Sequence, residues 1–298
     1  MLEVQQKLYC YESYFNTFIN LYNSNKLPQS ILFFGKEGIG KKTFITNLLL
    51  DFLKRNQSTT KYENKIDLLK HLTTNQSSNV RFIYNNDDDN FSVSIEQIRD
   101  ILIYSSHSTL DGNPKFIVIC NPEELNLNVL NSLLKIVESP PEHTYFLLIS
   151  DNINKIINTL KSRCLKFKIS FNISENKFII NNLLNDNNLF LSENKFFLSK
   201  FDTPGKVIKK LLFLNKNNLE NKSILEIIIF CLESFKLKKN KSYLKFALDF
   251  SNIFFNQKFN SNFSKFHNYY DLFLLKYSDC AKYNVDFSSV INLLKRIY

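Results

Sequence analysis

Between residues 31 and 169, short continuous apolar runs alternate with helix-patterned stretches, and this alternation limits the possible folds more than any other feature of the chain. The runs are Ile31–Phe34, Val80–Tyr84, Phe116–Cys120, Tyr145–Ile149 and Leu165–Ile169, all rich in Ile, Val and Phe. Continuous rather than alternating apolarity predicts strands buried on both faces, as in a parallel sheet. Helical patterns over Lys42–Lys54, Ile95–Tyr104, Asn126–Val137 and Ile153–Leu160 supply the crossovers. Ser94 with Gln97 fits a capping box for the second of these, and Glu96 suits its first turn. The expected core is therefore an α/β parallel sheet with helices on both faces.

Beyond Ile169 the strand-like runs stop. Asn-rich breaks separate amphipathic segments such as Glu175–Leu184 and Lys206–Leu214, and from about residue 217 the pattern is wholly helical. We place domain boundaries to give residues 1–169, 170–216 and 217–298. The Asp87–Asp89 run reads as a solvated loop.

Composition narrows the class. Lys and Arg number 38 against 28 Asp and Glu, a net charge of +10 that is compatible with a phosphate-bearing partner or with a solvated surface. Phe, Ile, Lys and Asn are heavily used, the bias of an AT-rich genome. The five cysteines (Cys10, Cys120, Cys164, Cys231 and Cys280) form no C-x-x-C pair and are not clustered with the four histidines. Neither a disulfide framework nor a zinc site is expected, and no metal site at all. The start, MLEVQQKLYCYE, lacks the apolar stretch of a signal peptide. No apolar run reaches the ~18 residues of a membrane span. These features predict a cytoplasmic protein with no membrane partner.

Of only five glycines, Gly35, Gly38 and Gly40 fall within six residues, between a buried run and a helical pattern; Gly112 and Gly205 stand alone. Gly35-x-x-x-x-Gly40-Lys41 is the spacing of a phosphate loop, whose glycines turn backbone N–H groups inward and whose lysine reaches the β- and γ-phosphates. Gly35, Gly38, Gly40, Lys41 and Thr43 are thus the candidate nucleotide-binding residues. The position after the lysine, where active loops carry Ser or Thr for Mg²⁺, holds Lys42. Thr43 is one residue late, rotated by ~100° around the helix. The third run ends in Asn121-Pro122-Glu123-Glu124, where a metal-shell aspartate and a water-activating glutamate would stand. Asn121 has the shape of Asp without its charge, and Glu123 and Glu124 read as acids at a helix start. The loop reads as degenerate. It requires no cofactor, and binding of ATP without hydrolysis stays open.

The residues that follow resemble a known family. NVLNSLLKIVESPPEHTYFLLIS, then INTLKSRCLKF, is similar to the clamp-loader branch of the AAA+ ATPases, which includes the gamma/tau and delta-prime subunits of DNA polymerase III. Its pattern N-x-L-L-K-x-x-E-x-P-P matches Asn131, Leu133, Leu134, Lys135, Glu138, Pro140 and Pro141. Its Ser-Arg-Cys motif matches Ser162, Arg163 and Cys164, and SIEQIRDI at 94–101 resembles the helix before its third strand. The likeness covers about residues 25–170 well and the last eighty or so hardly at all. Thr203-Pro204-Gly205 resembles the Ser-Pro-Gly of delta-prime subunits, with Gly205 where ATP-binding relatives carry a sensing arginine and Lys206 a poor substitute one position on. Residues 51–80 contain none of the four cysteines of the family's zinc module.

The resemblance implies a AAA+ RecA-like domain, a helical lid and an all-α collar. Within the family it favours a delta-prime type, without activity of its own, within the polymerase III holoenzyme. Such a subunit joins gamma/tau and delta subunits in a hetero-pentamer that loads the sliding clamp on primed DNA. Arg163, flanked by Ser162 and Cys164, would then be an arginine finger acting in a neighbour's ATP site; the bland alternative is a salt bridge at a strand start. Two other readings stay open: a gamma-type ATPase using Thr43 or Glu123, and a stand-alone basic nucleic-acid adaptor. The basic stretch FKLKKNKSYLKF, residues 235–246, reads as a solvated helix face with buried aromatics rather than a DNA-facing patch.

Overall fold

The computed structural model describes residues 7–56, 77–83, 95–107, 113–189, 202–259, 263–283 and 285–298. Two compact units are present: Met1–Asn187 with Thr203–Gly205, and Asn188–Asp202 with Lys206–Tyr298.

The first unit begins with α1 (Glu12–Asn23), followed by β1 (Ser30–Phe34), α2 (Lys41–Asn56), β2 (Val80–Ile83), α3 (Ile95–Ser106) and β3 (Lys115–Cys120). Next come α4 (Leu127–Glu138), β4 (Thr144–Ser150), α5 (Asn158–Arg163), β5 (Leu165–Lys168) and α6 (Ile173–Asp186). The five strands are all parallel, in the order β2-β3-β4-β1-β5. Successive side chains of a strand face opposite ways. Ile31 and Phe33 pack with Phe18 of α1 and with Phe44 and Leu48 of α2, whereas Leu32 packs with Leu133 of α4 and Leu160 of α5. Both faces are covered, which is why β1, β3 and β4 read as unbroken apolar runs.

β5 departs from that reading. It lies at the sheet edge, where Leu165, Lys166 and Lys168 are exposed and only Phe167 turns inward, 4.7 Å from the Phe18 ring. An edge strand has one neighbour and one covered face, so LKFK alternates. The helix expected over Ile153–Leu160 is also different. A 3-10 turn at Ile153–Lys155 is followed by extended Ile156 and Ile157, and α5 starts at Asn158. Ile156 and Leu160 are both buried by this broken path, so the apolar spacing is satisfied without a continuous helix. α1 was not anticipated, although Tyr14, Phe15, Phe18, Ile19 and Tyr22 have helical spacing. The Ser94 cap, Tyr84, Gly112 and the Asp87–Asp89 run lie outside the described residues.

α7 (Pro204–Lys216) starts with the first unit and continues into the second, where α8 (Ile224–Lys238), α9 (Lys241–Lys258), α10 (Phe263–Tyr283) and α11 (Ser288–Ile297) follow. Ile227, Ile228 and Cys231 of α8, Phe250 and Phe255 of α9, Phe273 of α10 and Leu294 of α11 form one buried cluster. A capping box opens α8: Ser223 Oγ accepts from Glu226 N, and Glu226 Oε2 accepts from Ser223 N at 2.8 Å. The basic stretch 235–246 is not one helix face. Lys239, with φ +55°, ends α8, and Asn240 caps α9 through Ser242 N, so the stretch is the end of α8, a two-residue turn and the start of α9. Its aromatics are packed as expected: Phe235 is buried, and Phe246 stacks 4.1 Å from Phe213. Among the described residues, no helix is long and apolar enough to cross a membrane.

Candidate functional site

The glycine loop joins the carboxyl end of β1, an interior strand, to α2. Gly35 is required by the backbone around it, since a Cβ there would lie 2.3 Å from the carbonyl oxygen of Ile169, just beyond β5. Gly38 and Gly40 hold φ of +77° and +104°, where side chains are strained. Six consecutive loop carbonyls each accept a bond from this chain. Lys41 Nζ donates to Gly35 O at 2.7 Å and Lys36 O at 2.9 Å, and Thr203 Oγ1 donates to Glu37 O at 2.5 Å. Gly205 N donates to Gly38 O at 2.7 Å, Tyr11 OH to Ile39 O at 2.9 Å, and Phe44 N to Gly40 O at 2.9 Å.

Gly205, singled out in the sequence for lacking a side chain, needs that lack for steric reasons. A Cβ there would come within 2.6 Å of Gly38 O. Thr203 is buried beside it, so Thr203-Pro204-Gly205 closes over the loop. Lys206, the next residue, is half-buried. Tyr11 was missed by sequence reasoning. Its ring stacks 5.0 Å from Phe44, and burial pushes its hydroxyl far above the usual phenol range.

The Lys41 ammonium has a third partner, Asp151 Oδ1 at 2.6 Å; the two side chains are 3% and 35% exposed. Asp151 follows β4, which pairs with β1, so the parallel sheet delivers its carboxylate to the loop. It was also missed, although an acid directly after an apolar run is a usable signal. Lys42 is exposed, with its amine 5.9 Å from the Phe82 ring centre. Thr43 is half-buried, and its carbonyl accepts from Asn47 Nδ2. Asn121 adopts the left-handed conformation (φ +51°), which Asn tolerates better than most residues, and leads into a 3-10 turn, Pro122–Glu124. Glu123 reaches across to the turn after β4, where its Oε1 accepts from Ser150 Oγ and Asp151 N at 3.0 Å and from Asn152 N at 3.3 Å. Glu124 is exposed.

This donor set does not fit a magnesium ion. The position that should offer a hydroxyl offers an ammonium. Of the nearby carboxylates, Asp151 Oδ1 is paired with Lys41 and Glu123 Oε1 with the turn after β4. That leaves Glu123 Oε2, buried without a hydrogen-bond partner among the described residues, as a single anionic oxygen beside two lysines and the uncharged Asn121. Burial pushes the Cys120 thiol at the end of β3 up to about 11, against the pull of Lys42, so it supplies no thiolate near neutrality.

A second cluster lies at the end of α5. Arg163 Nε donates to Glu138 Oε2 at 3.0 Å, Nη2 lies 2.9 Å from the same oxygen, and Nη1 donates to Thr159 O at 2.9 Å. Ser162 is exposed and bonds Thr159 O, whereas Cys164 is buried and its thiol is raised to about 11 by that burial. The three motif residues therefore face different surroundings. Glu138 belongs to the second motif, on α4, where Leu133 is buried while Asn131 and Lys135 are exposed. The sequence contained both motifs but not their pairing.

A parallel sheet in this order, with a glycine loop between interior β1 and α2 and an all-helical region after it, is the AAA+ RecA-like arrangement. Within that class, a family model described as DNA polymerase III, delta subunit, matches residues 11–172, and the chain belongs to this family. Subunit delta′ of DNA polymerase III from Buchnera aphidicola subsp. Baizongia pistaciae is 37% identical over 86 residues, 29% of this chain and 26% of that protein. The delta′ subunit from subsp. Schizaphis graminum is 29% identical over 171 residues, 57% of this chain and 50% of its own length. The gamma subunit from the latter is 28% identical over 141 residues, 45% of this chain and 39% of that protein. The chain thus spans between about a quarter and a half of these curated relatives.

Proposed function

We propose that this chain is a clamp-loader subunit of delta-prime type. It hydrolyses no ATP itself and donates Arg163 to the ATP site of a neighbouring subunit. Its partners on this reading are gamma/tau- and delta-type subunits in a cytoplasmic hetero-pentamer that loads the sliding clamp on primed DNA. The similarity to delta′ and gamma subunits supports the assembly. The observation that carries the non-hydrolysing role is Lys42 at the metal-ligand position, beside an Asp151 already paired with Lys41. The loop is degenerate on this reading and needs no nucleotide, because Lys41, the residue that would reach a phosphate, is held by Gly35 O, Lys36 O and Asp151. Arg163 is supported by its place at the end of α5, where the guanidinium is partly exposed. A fixed guanidinium stabilises charge developing on a transferred phosphoryl group.

The test is DNA-stimulated ATP turnover in a reconstituted loader. Lys41→Ala in this chain should leave turnover unchanged, and Arg163→Ala should lower it. Turnover by the isolated chain that Lys41→Ala abolishes would instead make it a gamma-type ATPase.

A further inference from the structure

Resting on the reading of Arg163 as a finger, we propose that Glu138 is its positioning residue, holding the guanidinium by its side edge so that its end can meet a phosphate. A guanidinium has five N–H donors in a rigid plane. Three nitrogens are engaged here: Nε and Nη2 on Glu138 Oε2, and Nη1 on Thr159 O. One N–H on each of Nη1 and Nη2 then has no acceptor among the described residues. With the side edge on Glu138, the spare N–H groups lie on the two terminal nitrogens, those that can meet two oxygens of one phosphoryl group.

Both anchors are themselves fixed. Glu138 is the last residue of α4, and the preceding Val137 carbonyl accepts from Ser30 Oγ of β1 at 3.0 Å. The chain beyond it is held where Gln29 Nε2 donates to Pro141 O at 2.9 Å. Arg163 lies between two buried residues of its own segment, Leu160 and Cys164. A long side chain clamped in this way loses little further freedom when a phosphate arrives. The Glu138 side chain is 56% exposed, so the pair adds little to stability and its loss should leave the fold intact.

The experiment uses a reconstituted loader in which only the subunit next to this chain keeps its phosphate-loop lysine, with ATP, clamp and primed DNA. Arg163→Ala should lower turnover by about 10³–10⁵-fold. Glu138→Ala should lower kcat by roughly 10- to 100-fold, the scale of a misplaced catalytic group, with KM for ATP unchanged. Glu138→Gln keeps an oxygen for Nε and should recover most of that loss, and the double variant should be no slower than Arg163→Ala. Melting temperatures of the variant chains should stay at the wild-type value. Wild-type kcat in Glu138→Ala, or additive losses in the double variant, would overturn the positioning role and leave the finger standing. Wild-type turnover in Arg163→Ala would overturn the finger itself.

Discussion

The Lys41 ammonium lies 2.6 Å from the Asp151 carboxylate, tying the first residue of α2 to the residue that follows β4. The pair is lopsided, since the lysine is buried and the aspartate a third exposed. Removing the lysine leaves a carboxylate that water can reach, and takes the donor from Gly35 O and Lys36 O. Removing the aspartate's side chain leaves a buried ammonium with two carbonyls and no counter-charge. Asp151→Ala should therefore cost more, about 3 kcal/mol, than Lys41→Met at about 2 kcal/mol. Urea-unfolding midpoints of the two variants measure the difference.

The loop glycines differ in what they protect. Gly35→Ala drives a Cβ into a backbone oxygen 2.3 Å away, a clash that costs about 3 kcal/mol or more. Gly40→Ala meets the Tyr11 hydroxyl at 3.3 Å, a contact that a few tenths of an ångström relieve, and mainly incurs backbone strain, about 1–3 kcal/mol. Thermal melts should rank Gly35→Ala as the less stable, with and without ATP.

Burial raises the Cys120 and Cys164 thiols from 9.0 to about 11, and Cys231 to about 12. Their folded pKa values lie above the unfolded ones, so the native state holds these protons more tightly. The corresponding stability is complete below pH 9 and is lost as pH rises through 9 to 12. Guanidinium midpoints at pH 8 and pH 10 should show the loss. At pH 8 the three native thiols should be slow towards a disulfide reagent and react quickly once unfolded.

Ser223→Ala removes the cap of α8 and should destabilise the protein by about 1 kcal/mol. The bonds from Ser223 also hold the Glu226 carboxyl below its usual range. That contribution is present at neutral pH and disappears as pH falls through the lowered value. The gap between wild type and Ser223→Ala should narrow in acid, as followed by circular dichroism.

Placing a hydroxyl at the metal-ligand position is not expected to create an ATPase. Lys42→Ser leaves Asn121 uncharged and Asp151 bound to Lys41. The isolated variant should show Mg²⁺-dependent phosphate release no faster than buffer.

The sheet was legible where both faces are covered: the runs containing Ile31–Phe33, Phe116–Ile119 and Phe146–Ile149 became β1, β3 and β4. It was less so at the edge, where the alternation of Leu165, Lys166, Phe167 and Lys168 marks a strand with one free side. The loop could be located by its glycines, but not the contacts that hold it. Lys41 and Asp151 are 110 residues apart, and only the adjacency of β1 and β4 brings them together. Thr203 lies 166 residues from Glu37, and Glu138 lies 25 from Arg163, so local periodicity carries no trace of either pair. The metal-position residues were readable because Lys42 and Asn121 are defined by their offset from the loop and from a strand end.

The six bonded carbonyls of the loop have a consequence for how such a chain changes over generations. Each is engaged by a donor the polypeptide encodes, and Gly35 and Gly205 are fixed by the nearness of other backbone. Substitutions at position 42 therefore leave the loop's folding requirements untouched, whereas those at Lys41 do not. Mutational drift in a lineage with no use for the nucleotide would spare Gly35 and Lys41 while freeing position 42, so inheritance of the motif's spelling is no record of its chemistry.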